Sequence, residues 1–380
     1  MFSIEKTKMK DTNLNYALNV VARWFVGLVF LFSSFVKGVD PMGTMFKVQD
    51  YMSSWQLFGM GFEWAYPLAG TLAVALICSE FTVGVLLITG ALRRLTAWTL
   101  AAMMAFFTVT TLIDATTNLV NDCGCFGDAV KLTNWQTFWK NVVLDVPTVW
   151  IVLTRGLRQR RRFERDSLWL VFSIAAMLVF CVYNIKHEPV IDFRPWKIGN
   201  RMIDVDKDAT PRSFVTYRNT RTGEQSEFES SRLVQLMADS VWVAEWEWVA
   251  SRVEMPEVKA PGFSMMDEDG NDYALDMVAS PDGLLMVTVH HLGEVDDEGC
   301  EEIAAARTMA VENGMEIVLL TSALPEDVEQ WRQKRGFEDI DTYYADATAI
   351  ETIMRGNPGF IVLRDAVVVD KGRKARELKF

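Results

Sequence analysis
The stretch ALNVVARWFVGLVFLFSSFV, residues 17–36, carries a single charge, Arg23. As a helix it rises about 1.5 Å per residue and matches the roughly 30 Å apolar core of a bilayer. The segment before it, MFSIEKTKMKDTNLN, is polar with three lysines and has no small-residue cleavage site. The run is also too long for a signal core, so it is expected as an uncleaved first span. Four more segments follow. One lies within 65–91 and contains LAVALICSEFTVGVLLITG; the others run over about 95–117, 135–154 and 167–185. The fourth, 135–154, is the least apolar because it holds Lys140, Asp145 and Pro147. Trp135, Trp139, Trp150 and Trp169 fall near span ends, where an indole is half buried and keeps its N–H wet.

Orientation follows from the basic residues of the short loops. Lys6, Lys8 and Lys10 precede span one, Arg93 and Arg94 separate spans two and three, and six arginines from Arg155 to Arg165 separate spans four and five. Five spans put these three loops on one side, the cytoplasm. The loops 37–64 and 118–134, and everything after about 187, then face outward. The expectation is a five-pass protein of a bacterial inner membrane, in contact with membrane lipid, with its N-terminus cytoplasmic and its C-terminal domain periplasmic.

The formal net charge of −12 belongs mainly to residues 187–380, which argues against a nucleic-acid partner for that half. Residues 211–229 read as a hairpin turning at Thr222-Gly223, and 233–255 as helical in part, with Trp242, Trp246 and Trp248 as packing residues. Beyond Pro256 and Pro261, strands 283–289, 316–322 and 341–344 alternate with helices near 299–313 and from 325. A terminal hairpin, GFIVL…AVVVDK, closes an α/β pattern. The expected divisions are 1–16, 17–155, 156–187, 188–255 and 256–380.

Five cysteines do not make a disulfide scaffold. Cys123 and Cys125 stand one residue apart in the outward loop NDCGCFGD, residues 121–128. Outside the cytoplasm disulfides persist, and a ring closed between such near neighbours is strained and therefore exchangeable. The residues leave redox exchange and a structural bridge both open. With no histidine near in sequence, Cu(I) or Zn ligation ranks below both, and no metal is expected. Cys181, a few residues from the outer end of span five, is a candidate partner thiol, whereas Cys78 reads as a small buried hydrophobe. Ionisable residues inside spans are costly and often functional, so Glu80, Asp114, Asp145 and Lys37 are candidate intramembrane polar sites. They serve either as bundle-locking pairs or as a proton path beside a quinone-like redox partner.

FVGLVFLFSSFVKGVDPMG (25–43), SEFTVGVLLITG (79–90) and NDCGCFGD together resemble the DoxX-like membrane proteins, and the last motif resembles their MauE, methylamine-utilisation, branch. The resemblance covers roughly residues 17–155. It implies a four-helix membrane bundle and a role in maturing a periplasmic, disulfide-rich dehydrogenase, with Cys123 and Cys125 as the exchanging thiols. Lys37, Asp40 and Glu80 match recurring polar positions of DoxX-like chains. A fifth span and a long outer domain lie outside that pattern. Residues 256–380 resemble a thioredoxin-like domain that has lost its chemistry: Asn357-Pro358-Gly359 stands where the proline loop would be, and Glu298-Gly299-Cys300 where a CxxC would open the first helix.

The expected fold is therefore a membrane all-α helical bundle, DoxX-like with a fifth span, followed by a soluble α/β thioredoxin-like domain. The expected function is support of thiol–disulfide redox or maturation of envelope proteins through the Cys-Gly-Cys loop, with periplasmic protein clients or redox partners. Two alternatives stand beside it: a non-enzymatic scaffold docking an envelope protein, and a subunit of a sulfur-compound:quinone oxidoreductase. A quinone is the cofactor these readings would call for; whether the chain is itself an enzyme is left open by its residues.

Overall fold
The computed structural model describes residues 13–54, 63–118, 120, 125–155, 163–203, 212–254, 258–260 and 262–380. The chain divides into two compact units, Met1–Phe193 and Arg194–Phe380. The lysines at 6, 8 and 10, the arginines at 158 and 160–162, and Cys123 lie outside the described residues.

Among its described residues the first unit is helical: α1 (Asn13–Val39), α2 (Pro41–Ser54), α3 (Ala69–Thr89), α4 (Arg93–Thr117), α5 (Asn134–Thr154) and α6 (Phe163–Lys186). Among the described residues, four helices are long and apolar enough to cross a membrane: Asn13–Val39, Trp64–Thr89, Arg93–Thr117 and Glu164–Lys186. The fourth expected span folds as α5, but its polar residues keep it out of that group. On α1 the side chains of Leu18, Val21, Phe25, Leu28, Phe32 and Phe35 recur every three or four residues and are exposed, while Ala22, Val26 and Phe30 are buried. A helix apolar on both faces suits lipid on one side and protein on the other.

Helix α1 packs between α3 and α5, α4 lies against α5, and α6 lies against α3. The α1–α3 contact depends on two glycines. A Cβ on Gly84 would come within 3.1 Å of the Gly27 carbonyl, and one on Gly27 within 3.2 Å of the Gly84 carbonyl. Small residues at such crossings let backbones approach and gain dispersion contacts that lipid cannot supply. Polar ties complete the bundle. Asn19 Nδ2 donates to Thr154 Oγ1 at 2.6 Å, Asn141 Nδ2 to Thr111 Oγ1 at 3.1 Å, and Ser173 Oγ to Thr82 Oγ1 at 3.3 Å. Arg23 is buried and donates from Nε to the Leu87 carbonyl at 2.7 Å, satisfying an orphan acceptor in the last turn of α3. Helix α5 starts with a capping box between Thr133 and Gln136. Helix α2, half-buried along its length against α3, falls in a stretch read from sequence as a loop.

The described residues of the second unit form two sheets. In the first, β1 (Arg212–Asn219) is flanked by β2 (Gln225–Glu229) and β3 (Trp246–Glu254), all antiparallel, with α7 (Ser230–Leu236) and α8 (Ser240–Glu245) between β2 and β3. The expected hairpin is present, turning through Gly223 at φ 77°. The stretch 233–255 is helical only to Glu245 and then becomes a strand. Trp242 and Trp246 stack at 5.9 Å within a cluster that includes Tyr217 and Phe228.

Next come α9 (Ala274–Val278), β4 (Leu284–Val289), α10 (Asp297–Asn313), β5 (Glu316–Thr321), α11 (Pro325–Arg335), β6 (Asp341–Tyr344), α12 (Ala347–Ile353), β7 (Gly359–Arg364) and β8 (Val367–Gly372). The five strands order as β6-β5-β4-β7-β8; β4, β5 and β6 are parallel, and β7 and β8 run antiparallel to their neighbours. Strand β4 is buried along its whole length, which is why it reads as an unbroken apolar run. One face carries Ile303, Ala306, Val328 and Phe337 of the α10–α11 side; the other carries Trp196, Met202, Met265, Ile350 and Ile353. Residues 199–202 also pair with β8, Gly199 N donating to Val368 O at 2.8 Å, so the segment just after Phe193 is part of this core.

Ile361 sits in the middle of β7 with no exposed surface. Ile361→Ala should cost about 2–5 kcal/mol of unfolding free energy, measured by chemical denaturation of the intact chain in detergent.

Candidate functional site
Lys37 closes α1 and Glu80 lies midway along α3, and both are buried. Their side chains meet at 2.6 Å, with 9% and 2% of their surfaces exposed. An ion pair this dry is tolerated because each charge satisfies the other and further hydrogen bonds take up the remaining lone pairs. Ser33, one helical turn before Lys37, supplies one: its Oγ lies 3.1 Å from Glu80 Oε2. The same Oγ lies 2.7 Å from the backbone carbonyl oxygen of Cys125, so its single proton is shared between the carboxylate and that carbonyl. The loop that carries the cysteine motif is thereby tied directly to the buried pair.

Phe126 fastens the loop a second way. Its ring lies 5.4 Å from that of Phe32 on α1, and the Lys140 ammonium of α5 sits 4.5 Å from its centre. The chain then turns through Gly127 at φ 49°, where a Cβ would press on Val36 at 3.2 Å. Of the two expected thiols, Cys125 is half-buried at this anchor, and Cys123 lies outside the described residues.

The other intramembrane acids are placed separately. Asp114 on α4 accepts from Tyr51 Oη of α2 at 2.5 Å, and Asp145 on α5 accepts from Thr108 Oγ1 of α4 at 2.9 Å. Both tie helices together, and neither is joined to Glu80 by these bonds. Tyr51 is a participant that sequence reading did not single out, because its helix was not expected. Cys181 is fully buried and packs with Cys78 in one core cluster between α3 and α6.

In the second unit Cys300 stands in the first turn of α10. Asp296 caps that turn, accepting from Gly299 N at 2.8 Å, while Asp297 pairs with Arg335 at 2.7 Å. Burial pushes the Cys300 thiol up; Arg335 opposes this, and the Asp297 and Asp296 carboxylates reinforce it. A thiol held protonated is a poor nucleophile. The Asn357–Pro358 peptide is cis, and Gly299 faces Pro358 so closely that a Cβ would lie 2.9 Å from its ring. Asn357 joins this loop to the end of β4: its Oδ1 accepts from His290 N at 3.0 Å and its Nδ2 donates to the His291 carbonyl at 2.9 Å. His290 is held neutral, its pKa lowered to about 4 by burial first, then by His291 and Arg355, against the pull of the Met354 and Gly356 carbonyls. Among the described residues no group of three His, Cys, Asp or Glu side chains converges as a metal site.

The arrangement defines a class: a helical, membrane-type bundle of apolar helices with a loop anchored on a buried ion pair, followed by a unit built on sheets. Residues 15–154 match the family model described as Methylamine utilisation protein MauE, so this part of the chain is similar to a MauE-type membrane protein. The matched stretch runs from the start of α1 to the end of α5 and includes Lys37, Glu80 and the Cys-Gly-Cys loop. No curated protein and no solved structure gives a significant match.

Two outcomes follow. Glu80→Gln removes the carboxylate charge that faces the buried Lys37 ammonium and should cost about 3–5 kcal/mol, read as a lowered thermal midpoint in detergent, while Lys37→Met combined with Glu80→Leu recovers most of the loss. For His290, the unfolded imidazole takes up a proton near its ordinary value of 6.5 but the folded one only near 4. Its contribution to stability is therefore complete above about pH 6.5 and falls as pH drops towards 4, by about 3 kcal/mol in all. His290→Gln should flatten the denaturation midpoint over that window relative to the parent chain.

Proposed function
We propose that this chain is a five-pass inner-membrane protein that supports thiol–disulfide exchange for envelope proteins through Cys123 and Cys125. The observation that carries the reading is the tether of Cys125 to Ser33, Glu80 and Lys37. A loop held only as a surface staple has no need of a bond to a buried ion pair. In the exchange, a Cys123–Cys125 disulfide is attacked by a client thiolate. The mixed disulfide is then displaced by the client's second thiol, so the client leaves oxidised and the loop is left as a dithiol.

The five-span topology is supported by the outward face of α5. There Trp139, Val143, Val146, Val149 and Leu153 are exposed in a continuous apolar stripe, while the polar Asn141 points into the bundle. Arg93, Arg94 and Arg155–Arg165 support a cytoplasmic side for the α3–α4 and α5–α6 connections. The strand order of the five-stranded sheet, with α10 opening beside the Pro358 loop, supports a thioredoxin-like reading of the second unit. Its single, protonated Cys300 supports docking of a client or redox partner rather than exchange.

Thiol trapping in intact membranes tests this. Cys123 and Cys125 should shift from disulfide to dithiol when respiration is inhibited, and replacing both by Ser should abolish client oxidation. A bridge that stays closed under every condition, with the double variant fully active, overturns the exchange role and leaves a scaffold.

A further inference from the structure
Cys78 and Cys181 are far apart in the chain and share one small core cluster with Ile77 and Met177, packed by Val74, Phe81 and Phe180. Cys78 is 8% exposed and Cys181 not at all, and the two side chains pack in that same buried cluster. Three independent contacts set the register that brings them together. Ser173 meets Thr82 at 3.3 Å, Phe180 stacks on Phe35 at 5.7 Å, and Gly38 admits Met177, which any Cβ at that position would overlap. Cys181 belongs to α6, beyond the residues that match the MauE family model, so the second thiol comes from a helix outside that match.

We propose that Cys78 and Cys181 form a second dithiol–disulfide site, buried in the bundle, whose oxidant is a lipid-dissolved quinone. The surroundings select that class of oxidant. The pair is enclosed by apolar side chains, and on α6 the neighbouring Leu178, Val179 and Val182 expose an apolar surface. Glutathione and other charged, water-borne disulfides are excluded from such a site by the cost of burying their charges. In the reaction both S–H bonds break and one Cys78–Cys181 S–S bond forms. Two electrons and two protons pass to the quinone, which leaves as hydroquinone. The product covalently clamps α6 to α3. The inference stands apart from the loop reading, since neither Cys123 nor Cys125 takes part in the bond.

The test uses the full chain in native membranes with Cys123, Cys125 and Cys300 replaced by Ser and a site-specific protease sequence inserted between α5 and α6. After treatment with a short-chain benzoquinone, thiol blocking and cleavage, the two fragments should stay joined on a non-reducing gel and separate on reduction. Cys78→Ser or Cys181→Ser should abolish the link. Joining by copper–phenanthroline but not by the quinone overturns the electron route; separation under both oxidants overturns the site. Because the loop thiols are absent from this background, failure here leaves the exchange role of Cys123 and Cys125 to be judged on its own experiment.

Discussion
The Lys37–Glu80 ion pair is the constraint around which the helical unit is arranged. Two opposite charges in a dry bundle can persist only if α1 and α3 hold them at contact distance, and the close glycine crossing of Gly27 and Gly84 further along the same two helices allows this. Once α1 and α3 are locked, the faces they leave free determine the rest. α5 takes one side of α1 through Asn19 and Thr154, and α6 takes the back of α3 through Ser173 and Cys181. Cys125 and Phe126, in the loop before α5, are then held on α1 by Ser33 and Phe32.

Helix α3 therefore has two chemically distinct sides. Glu80 points to α1 and the loop, while Cys78, two residues earlier, points to α6. Successive helical residues are turned by about 100°, so positions two apart cannot share a face. Adjacency in sequence links Cys78 with Glu80 as one feature, but the fold separates them into two.

The second unit follows a different logic. Its central strand is buried on both faces, and the residues that could carry chemistry collect at one end of it: His290 and His291 at the end of β4, Cys300 in the first turn of α10, and Asn357-Pro358 before β7. Negative charge in the first turn of α10 suits the helix macrodipole and holds the turn through Asp296, yet it works against ionisation of Cys300. The same carboxylates thus favour the fold and quiet the thiol.

Much of this was legible in the residues. Long apolar runs, the hairpin around Gly223 and the alternation of β4, β5 and β6 with helices follow from local composition and period, which neighbours in the chain determine. Helix α2 was missed because Met42, Met45, Phe46 and Val48 make no clear stripe, and its half-buried state depends on α3 being there. The stretch 233–255 is helical in part, as its residues suggest, but the change to strand at Trp246 depends on pairing with β1, and the Trp242 and Trp246 rings stack across that junction. The sequence by itself determined which segments are helices for an apolar phase and which residues are chemically costly there. Only the tertiary structure decided the pairings, Glu80 with Lys37, Cys125 with Ser33, Asp114 with Tyr51 and Cys78 with Cys181. Contacts between distant residues depend on the rotation and register of whole helices, and these are set by packing the bundle as one body.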